Sequence, residues 1–345
     1  MSASTLLSIT ALHARVEAIL LKAGVNPAQA GAVARVITAG ERDACKSHGI
    51  YRIEGILRTI KAGKVRVDAV PELVPAPGSA IVRVNAGGGF ANPAFELGLP
   101  ELVERTRSLG LAAMVINDCG HFSALWPEAE ALTEQGLAAM VMCPSYATVA
   151  PSGGKKPLLG TNPFAFGWPR ADRSPYVFDF ATSVAARGEI ELHRRAGKPL
   201  PEGWAIDAEG NPTTDPQAAL AGAMLPFGGH KGSAISTMIE LLAGILIGDL
   251  TSEEALTKLG TTTLLPTHGE LIIAFSPEKF AAGRPGNPVA HAEVLFEAIA
   301  GQGARLPSQR RFAARVKSEA EGITLTAAEI EQLDRLQTLG LDAVA

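Results

Sequence analysis

The segment Gly110-Leu111-Ala112-Ala113-Met114-Val115 recurs letter for letter as Gly136-Leu137-Ala138-Ala139-Met140-Val141, 26 residues further on. In each copy a glycine closes a helical pattern and a short apolar run follows, the mark of a buried strand entered from a helix. Two copies are too few for a solenoid, so the repeat predicts two similar strands, 112–117 and 138–143, entering one sheet. Further strands are expected at 80–84, 163–168, 176–179 and 270–275, and helices at 93–108 and 125–135. The centre of the chain thus reads as α/β (α+β), a mixed sheet with helices on its faces.

The flanks read as helical. Leu6, Ile9, Leu12, Val16, Ile19 and Leu20 keep helical spacing, Asn26 caps a second helix with Pro27 in its first position, and 49–62 gives a third. Residues 313–339 are periodic again, clearest over 325–336, and are expected to pack on the N-terminal helices. The Pro-, Gly- and Asp-rich stretch 198–217 reads as a surface excursion. The apolar run 234–250 is interrupted by Glu240 and falls short of the roughly 20 apolar residues a bilayer span needs, so it reads as a buried helix.

With 345 residues, 47% of them hydrophobic, the chain can bury a sizeable core in about two domains. Its 31 basic and 35 acidic residues exclude a general attraction to nucleic acid or anionic membrane, so any bound anion must be caught locally. Cys45, Cys119 and Cys143 lie far apart with no CxxC pair, which points to a reduced, cytoplasmic protein. The N-terminus has no basic segment before its apolar residues and does not read as a signal peptide. The 36 glycines cluster at Gly87–Gly89, Gly153–Gly154, Gly160 and Gly228–Gly232, which suggests several loops where backbone approaches a ligand.

The chain has neither G-x-G-x-x-G nor a Walker A loop. Gly228-Gly229-His230-Lys231-Gly232 precedes an apolar helix, where a helix N-terminus and an ammonium would favour a phosphate; a tight loop with a solvated lysine is the plain alternative. The seven histidines show no HxxxH or HExxH spacing, so no metal site is expected. His48 and His121 lie in polar junctions, Ser47-His48-Gly49 and Gly120-His121-Phe122-Ser123, where a ring either faces a cleft or is simply a loop residue. Adjacent Ser47 and His48 do not suit a nucleophile and base, but a hydroxyl orienting an acid–base imidazole fits. Arg52, one helical turn on, then serves as a carboxylate clamp or, more plainly, as a surface ion pair with Glu54 or Glu41.

Together, Ser47-His48-Gly49-Ile50-Tyr51-Arg52, Gly120-His121-Phe122, Pro157 to Pro163, Phe178-Asp179-Phe180-Ala181-Thr182-Ser183 and Gly228 to Gly232 resemble the malate/L-lactate dehydrogenase family of NAD(P)-dependent oxidoreductases, in matching order over about residues 10–320. The resemblance implies a non-Rossmann fold, with a mixed, mostly antiparallel cofactor domain (76–313) beside a helical domain built from both termini (1–75 with 314–345), and a homodimer. Within the family, His121 to Pro127 and Leu225 to Lys231 are most similar to the delta-1-piperideine-2-carboxylate/delta-1-pyrroline-2-carboxylate reductases. These reduce cyclic imino acids to L-pipecolate or L-proline with NADPH, placing the chain in proline metabolism and lysine degradation.

Carried over by position, the resemblance implies His48 as proton donor with Ser47 and Glu189 as relay partners, and Arg52, Thr161, Arg187 and Gly188 as substrate ligands. Cofactor contacts would come from His121, Phe122, Ser123, Ala124, Leu125, Asp179, Phe180, Ala181, His230, Lys231, Arg310 and Arg311. Phe122 and Trp126 are expected to cover the substrate ring. The imino-acid reductases carry Asp where this chain has Glu189, and hydroxy-acid members often carry Lys. Three alternatives follow: NADH as cofactor, a 2-hydroxy-acid dehydrogenase acting on malate, lactate or a ureidoglycolate-like substrate, and a dinucleotide-binding protein without catalysis.

Overall fold

The computed structural model describes residues 4–345. Strand β1 (Ser4–Leu7) leads into α1 (Ile9–Lys22), capped by Ser8, and α2 (Pro27–Arg42), where the Asn26 side chain accepts the Gln29 N–H at 2.9 Å. Two 3-10 turns, Lys46–His48 and Ile50–Arg52, run into α3 (Ile53–Lys61). Next come β2 (Glu72–Val74), β3 (Ile81–Asn85), α4 (Ala91–Leu109), β4 (Leu111–Gly120), α5 (Trp126–Thr133), β5 (Ala138–Met142), β6 (Phe164–Trp168) and β7 (Tyr176–Phe180). A smaller unit holds α6 (Arg187–Ala196), β8 (Ala205–Ile206), β9 (Pro212–Thr213), α7 (Pro216–Ala221) and β10 (Ala223–Met224). The chain closes with α8 (His230–Glu240), α9 (Ser252–Leu259), β11 (Thr267–Phe275), α10 (Pro277–Phe280), α11 (Pro288–Gly301), α12 (Gln309–Glu321), β12 (Ile323–Thr326) and α13 (Ala327–Leu339).

The main sheet has seven strands in the order β2-β3-β4-β11-β5-β6-β7, and only β3–β4 is parallel. The expected mixed, mostly antiparallel α/β fold is therefore present. The two copies of the repeat flank β11, and they do so one residue out of step: Ile272 faces Met114 on one side and Val141 on the other. A one-residue slip turns a strand over. Ala112 and Met114 thus face α4 and α5 with Ala139 and Val141, whereas Met140 points to the opposite face, with Ile239, Ala243 and Ile247. Identical sequence serves both orientations because helices cover both faces and every position is apolar.

A separate apolar cluster joins α1, α2 and α3 to β12 and α13, through Leu12, Val16, Ile37, Ile56, Leu325, Leu333 and Leu336. Two boundaries differ from expectation. Leu6 is not helical: β1 pairs antiparallel with β12, Leu6 opposite Thr324. The single C-terminal helix is two, because Gly322 (φ +93°) ends α12 and its place beside the Leu7 carbonyl leaves no room for a Cβ. The stretch 198–217 holds β8 and β9, paired in a three-stranded sheet with β10, over a small core of its own that includes Ile190, Leu200 and Met224. Among the described residues no helix is long and apolar enough to cross a membrane.

Candidate active site

The loop after α2 is shaped by close approach. Glu41, buried in the last turn, accepts the Ile50 N–H at 2.9 Å with Oε1 and faces the Lys46 ammonium at 2.6 Å with Oε2. A Cβ on Gly49 would fall 2.0 Å from that Oε1, and one on Gly40 would fall 2.6 Å from the His48 carbonyl oxygen. Both positions therefore require glycine. The outcome is that Ser47 Oγ lies 3.1 Å from His48 Nδ1, and Arg52 Nε donates to the Ser47 carbonyl at 2.7 Å. Among the described residues the Arg52 Nη groups have no acceptor, so the fork is left for an anion. Burial, and then the Arg52 charge, push the half-buried His48 down to about 3, and its imidazole is neutral at neutrality.

Tyr146, after β5, forms another wall: its hydroxyl donates to the Thr262 carbonyl at 3.1 Å, and its phenol lies in the field of both Arg52 and Arg187. Arg187, first residue of α6, donates to the Leu220 carbonyl and Thr262 Oγ1, each at 3.3 Å. A Cβ on Gly188 would lie 3.6 Å from the Tyr51 hydroxyl, which brings α6 beside the Ser47–Arg52 loop. Glu189 departs from the expected relay. It is exposed, and among the described residues no group hydrogen-bonds its carboxylate, so Ser47 and His48 meet without it. Thr161 is half-buried, its carbonyl held by the backbone and hydroxyl of Thr182.

The expected cofactor segments divide. The side chains of His121, Phe122, Ser123, Ala124 and Leu125 are buried, so this run offers backbone more than side chains to a ligand. Phe122 is buried edge-on against Phe90, and Trp126 lies under the Arg311 guanidinium, 4.2 Å from carbon to ring centre, lining a cleft with Arg42, Phe95 and Arg315 and not one with Ser47, His48 and Arg52 as expected. Asp179 Oδ2 accepts the N–H groups of Leu125 and Trp126 at the start of α5, at 2.8 and 3.0 Å, and burial raises its carboxyl to about 6. Phe180 is exposed, stacked on Phe178 and edge-on to Phe227, with Ala181 half-buried beside it.

His230 and Lys231 open α8 and are exposed. Gly228 and Gly229 adopt φ of +56° and +61°, and a Cβ on Gly232 would sit 2.2 Å from the Phe227 carbonyl oxygen. At Gly232, as at Gly160, where a Cβ would meet Asn162 Oδ1 at 2.4 Å, glycine makes room for the protein's own chain. The N–H groups of Gly229, Lys231 and Gly232 are likewise taken up by the carbonyls of Pro226, Gly228 and Phe227. Donors left for an anion at this end of α8 are the N–H groups of Gly228 and His230 and the side chains of His230 and Lys231. Arg311 is corrected in the same way: it is buried, its Nη1 on Asp43 at 3.0 Å and its Nη2 on Glu130, which leaves exposed Arg310 as the free cation of that pair. Cys45 feels the charges of Arg310, Arg311 and Asp179, so these groups share one neighbourhood beside His48. Exposed cations, a flat phenyl face and a nearby carboxylate suit the phosphates, rings and hydroxyls of a dinucleotide.

Residues 7–334 match the malate/L-lactate dehydrogenase family. The chain belongs to that family. The Delta(1)-pyrroline-2-carboxylate reductase of Agrobacterium fabrum is 77% identical over 345 residues, all of both chains. The Delta(1)-pyrroline-2-carboxylate/Delta(1)-piperideine-2-carboxylate reductase of Pseudomonas aeruginosa is 58% identical over 89% of this chain and 92% of its own. The crystal structure of delta1-piperideine-2-carboxylate reductase from Pseudomonas syringae pvar. tomato superposes with a TM-score of 0.91 at 40% identity, covering 96% of this chain and 99% of that one. Like those relatives, this malate/L-lactate dehydrogenase family member is an oxidoreductase.

Several residues of this family member escape a linear reading. Tyr146 shapes the site through its contact with Thr262, 116 residues away, and Glu41 pairs with Lys46 and not with Arg52 as the sequence allowed. His121, Cys143 and His268 converge from three neighbouring strands, their ligand-capable atoms within 4.8 Å of one another. Glu270 joins them, 3.8 Å from His121 Nε2. Burial pushes Glu270 up to about 8 and His121 well down, so both are neutral at neutral pH and the core carries no net charge there. No spacing rule announces such a grouping, because its members are far apart in the chain.

Proposed function

We propose that this protein reduces cyclic 2-carboxy imines, Δ1-pyrroline-2-carboxylate to L-proline and Δ1-piperideine-2-carboxylate to L-pipecolate, as a cytoplasmic homodimer using NADPH. The reading is carried by the pairing of Ser47 and His48 opposite the unoccupied fork of Arg52, on a chain 77% identical throughout to a Delta(1)-pyrroline-2-carboxylate reductase. Residues 76–313 would form the cofactor domain, and 1–75 with 314–345 the helical one.

Bound NADPH supplies a hydride to C2 of the imine; His230, Lys231, Arg310, Phe180, Ala181, Asp179 and the 121–125 backbone would hold it. Arg52 takes the substrate carboxylate bidentately, with Thr161, Arg187 and Gly188 completing the pocket. That ion pair fixes the ring and sets its nitrogen against the imidazole. His48, neutral in the free enzyme, keeps the proton on the imine nitrogen through its second ring nitrogen, while Ser47 fixes the tautomer from Nδ1. Glu189, exposed on α6, adds negative charge to the rim in this scheme and makes no direct relay contact.

Incubation of the purified protein with NADPH and Δ1-pyrroline-2-carboxylate tests the reading. Proline should form in step with NADPH consumed, one for one. NADPH binding with no amino acid formed from either imine would overturn it in favour of a non-catalytic binder.

A further inference from the structure

Glu240, the charge that interrupts the apolar stretch 234–250, ends α8 with only 8% of its surface exposed. Its two oxygens meet only N–H donors. Oε1 accepts from Asn162 Nδ2 at 2.8 Å and from the Gly160 backbone at 3.5 Å, and Oε2 from the Ser252 backbone at 2.9 Å. Asn162 is fully buried; it donates also to Ser236 Oγ at 2.9 Å and accepts from Ser252 Oγ at 3.0 Å. Ser252 Oγ in turn accepts the Ser145 N–H at 3.2 Å. Three chain segments are thereby tied together: the Gly160-Thr161-Asn162 corner, the Ser145-Tyr146 wall, and α8, whose first residues are His230 and Lys231.

The backbone records the constraint. Asn162 has φ +32°, in the positive region that side-chain-bearing residues seldom enter and asparagine enters most readily, and Thr182 Oγ1 pins the carbonyls of Thr161 and Asn162 at 3.1 Å each. Helix α8 passes into a π turn at Leu241–Ile245 directly after Glu240, a local widening that is frequent at functional sites.

We propose that Asn162, Glu240 and Ser252 are positioning residues: this buried knot holds the Thr161-Asn162 corner and the Tyr146 wall in register, and so sets the affinity for the substrate. The proposal rests on the reading of Thr161 as a substrate ligand. E240Q keeps the shape of the side chain but turns an NH2 group towards partners that are all donors. In E240Q and N162A, KM for the imine should rise tenfold or more while the Kd for NADPH stays within twofold. S252A, which keeps its backbone N–H on Glu240, is the milder variant if those two fail to fold, with a KM increase of threefold or more. T161A separates the two ideas. A raised KM in T161A with unchanged KM in folded E240Q, N162A and S252A overturns the knot's role alone. Unchanged KM in all of them, T161A included, overturns the reading of Thr161 and the knot with it. Equal losses of NADPH and imine affinity in the knot variants would also overturn it, since they would mark general disruption.

Discussion

In the proposed mechanism His48 concentrates the acid–base chemistry in one ring. Burial and the Arg52 charge hold it down at about 3, so the free enzyme meets its substrate with a neutral imidazole. A carboxylate bound at Arg52 removes the repelling charge but not the burial. His48→Asn should therefore lower kcat a hundredfold or more, within the range for a lost acid–base side chain, and change NADPH affinity less than twofold. The variant should also report on stability. Because the unfolded state binds a proton near 6.5 and the folded state only near 3, wild-type stability falls as pH drops through that window. His48→Asn removes this penalty, so its Tm relative to wild type should rise between pH 7 and pH 4; a constant difference would contradict the assignment. The grouping of Ser47, His48 and Arg52 was legible in the sequence because they lie within one six-residue stretch. Arg311 was not, because its partner Asp43 lies 268 residues away.

Elements were legible where one periodicity ran unbroken, as in α2 with its Asn26 cap, and were lost where two patterns abutted, as in the Gly322 break between α12 and α13. Helix α12 is fastened to α2 and α5 by Arg311 and Arg315, which share Asp43 and Glu130. Burial works to raise the Asp43 carboxyl, but hydrogen bonds from Arg315 and Arg42 outweigh it and hold the group below its ordinary range. Removing one partner of such a group leaves buried charge uncompensated. Asp43→Ala should cost about 3–5 kcal/mol in denaturant unfolding at pH 7. The loss relative to wild type should shrink in acid, because the stabilisation exists above the unfolded carboxylate pKa and disappears as pH falls through the lower folded one. A cost within about 0.5 kcal/mol at pH 7, the ordinary range for a surface substitution, would contradict the tie.

At the scale of the molecule, the local repeat pointed correctly to two similar strands in one sheet, and the family resemblance to a mixed, mostly antiparallel fold. The repeat's opposite orientations were not legible, since strand register depends on β11, more than 120 residues away in the chain. The glycine clusters pointed to loops of close approach, but the approach at Gly49, Gly160 and Gly232 is of the chain to itself. In the proposed reading, specificity rests on a few side chains gathered from the Ser47–Arg52 loop, the Tyr146 wall and α6. The central claim is that this site takes a cyclic imine and not an oxo acid. Initial rates of NADPH and NADH oxidation with Δ1-pyrroline-2-carboxylate, Δ1-piperideine-2-carboxylate, pyruvate and oxaloacetate test it most directly. For the two imines kcat/KM should be at least a hundredfold higher, with NADPH preferred; turnover of pyruvate or oxaloacetate alone would show a hydroxy-acid dehydrogenase instead.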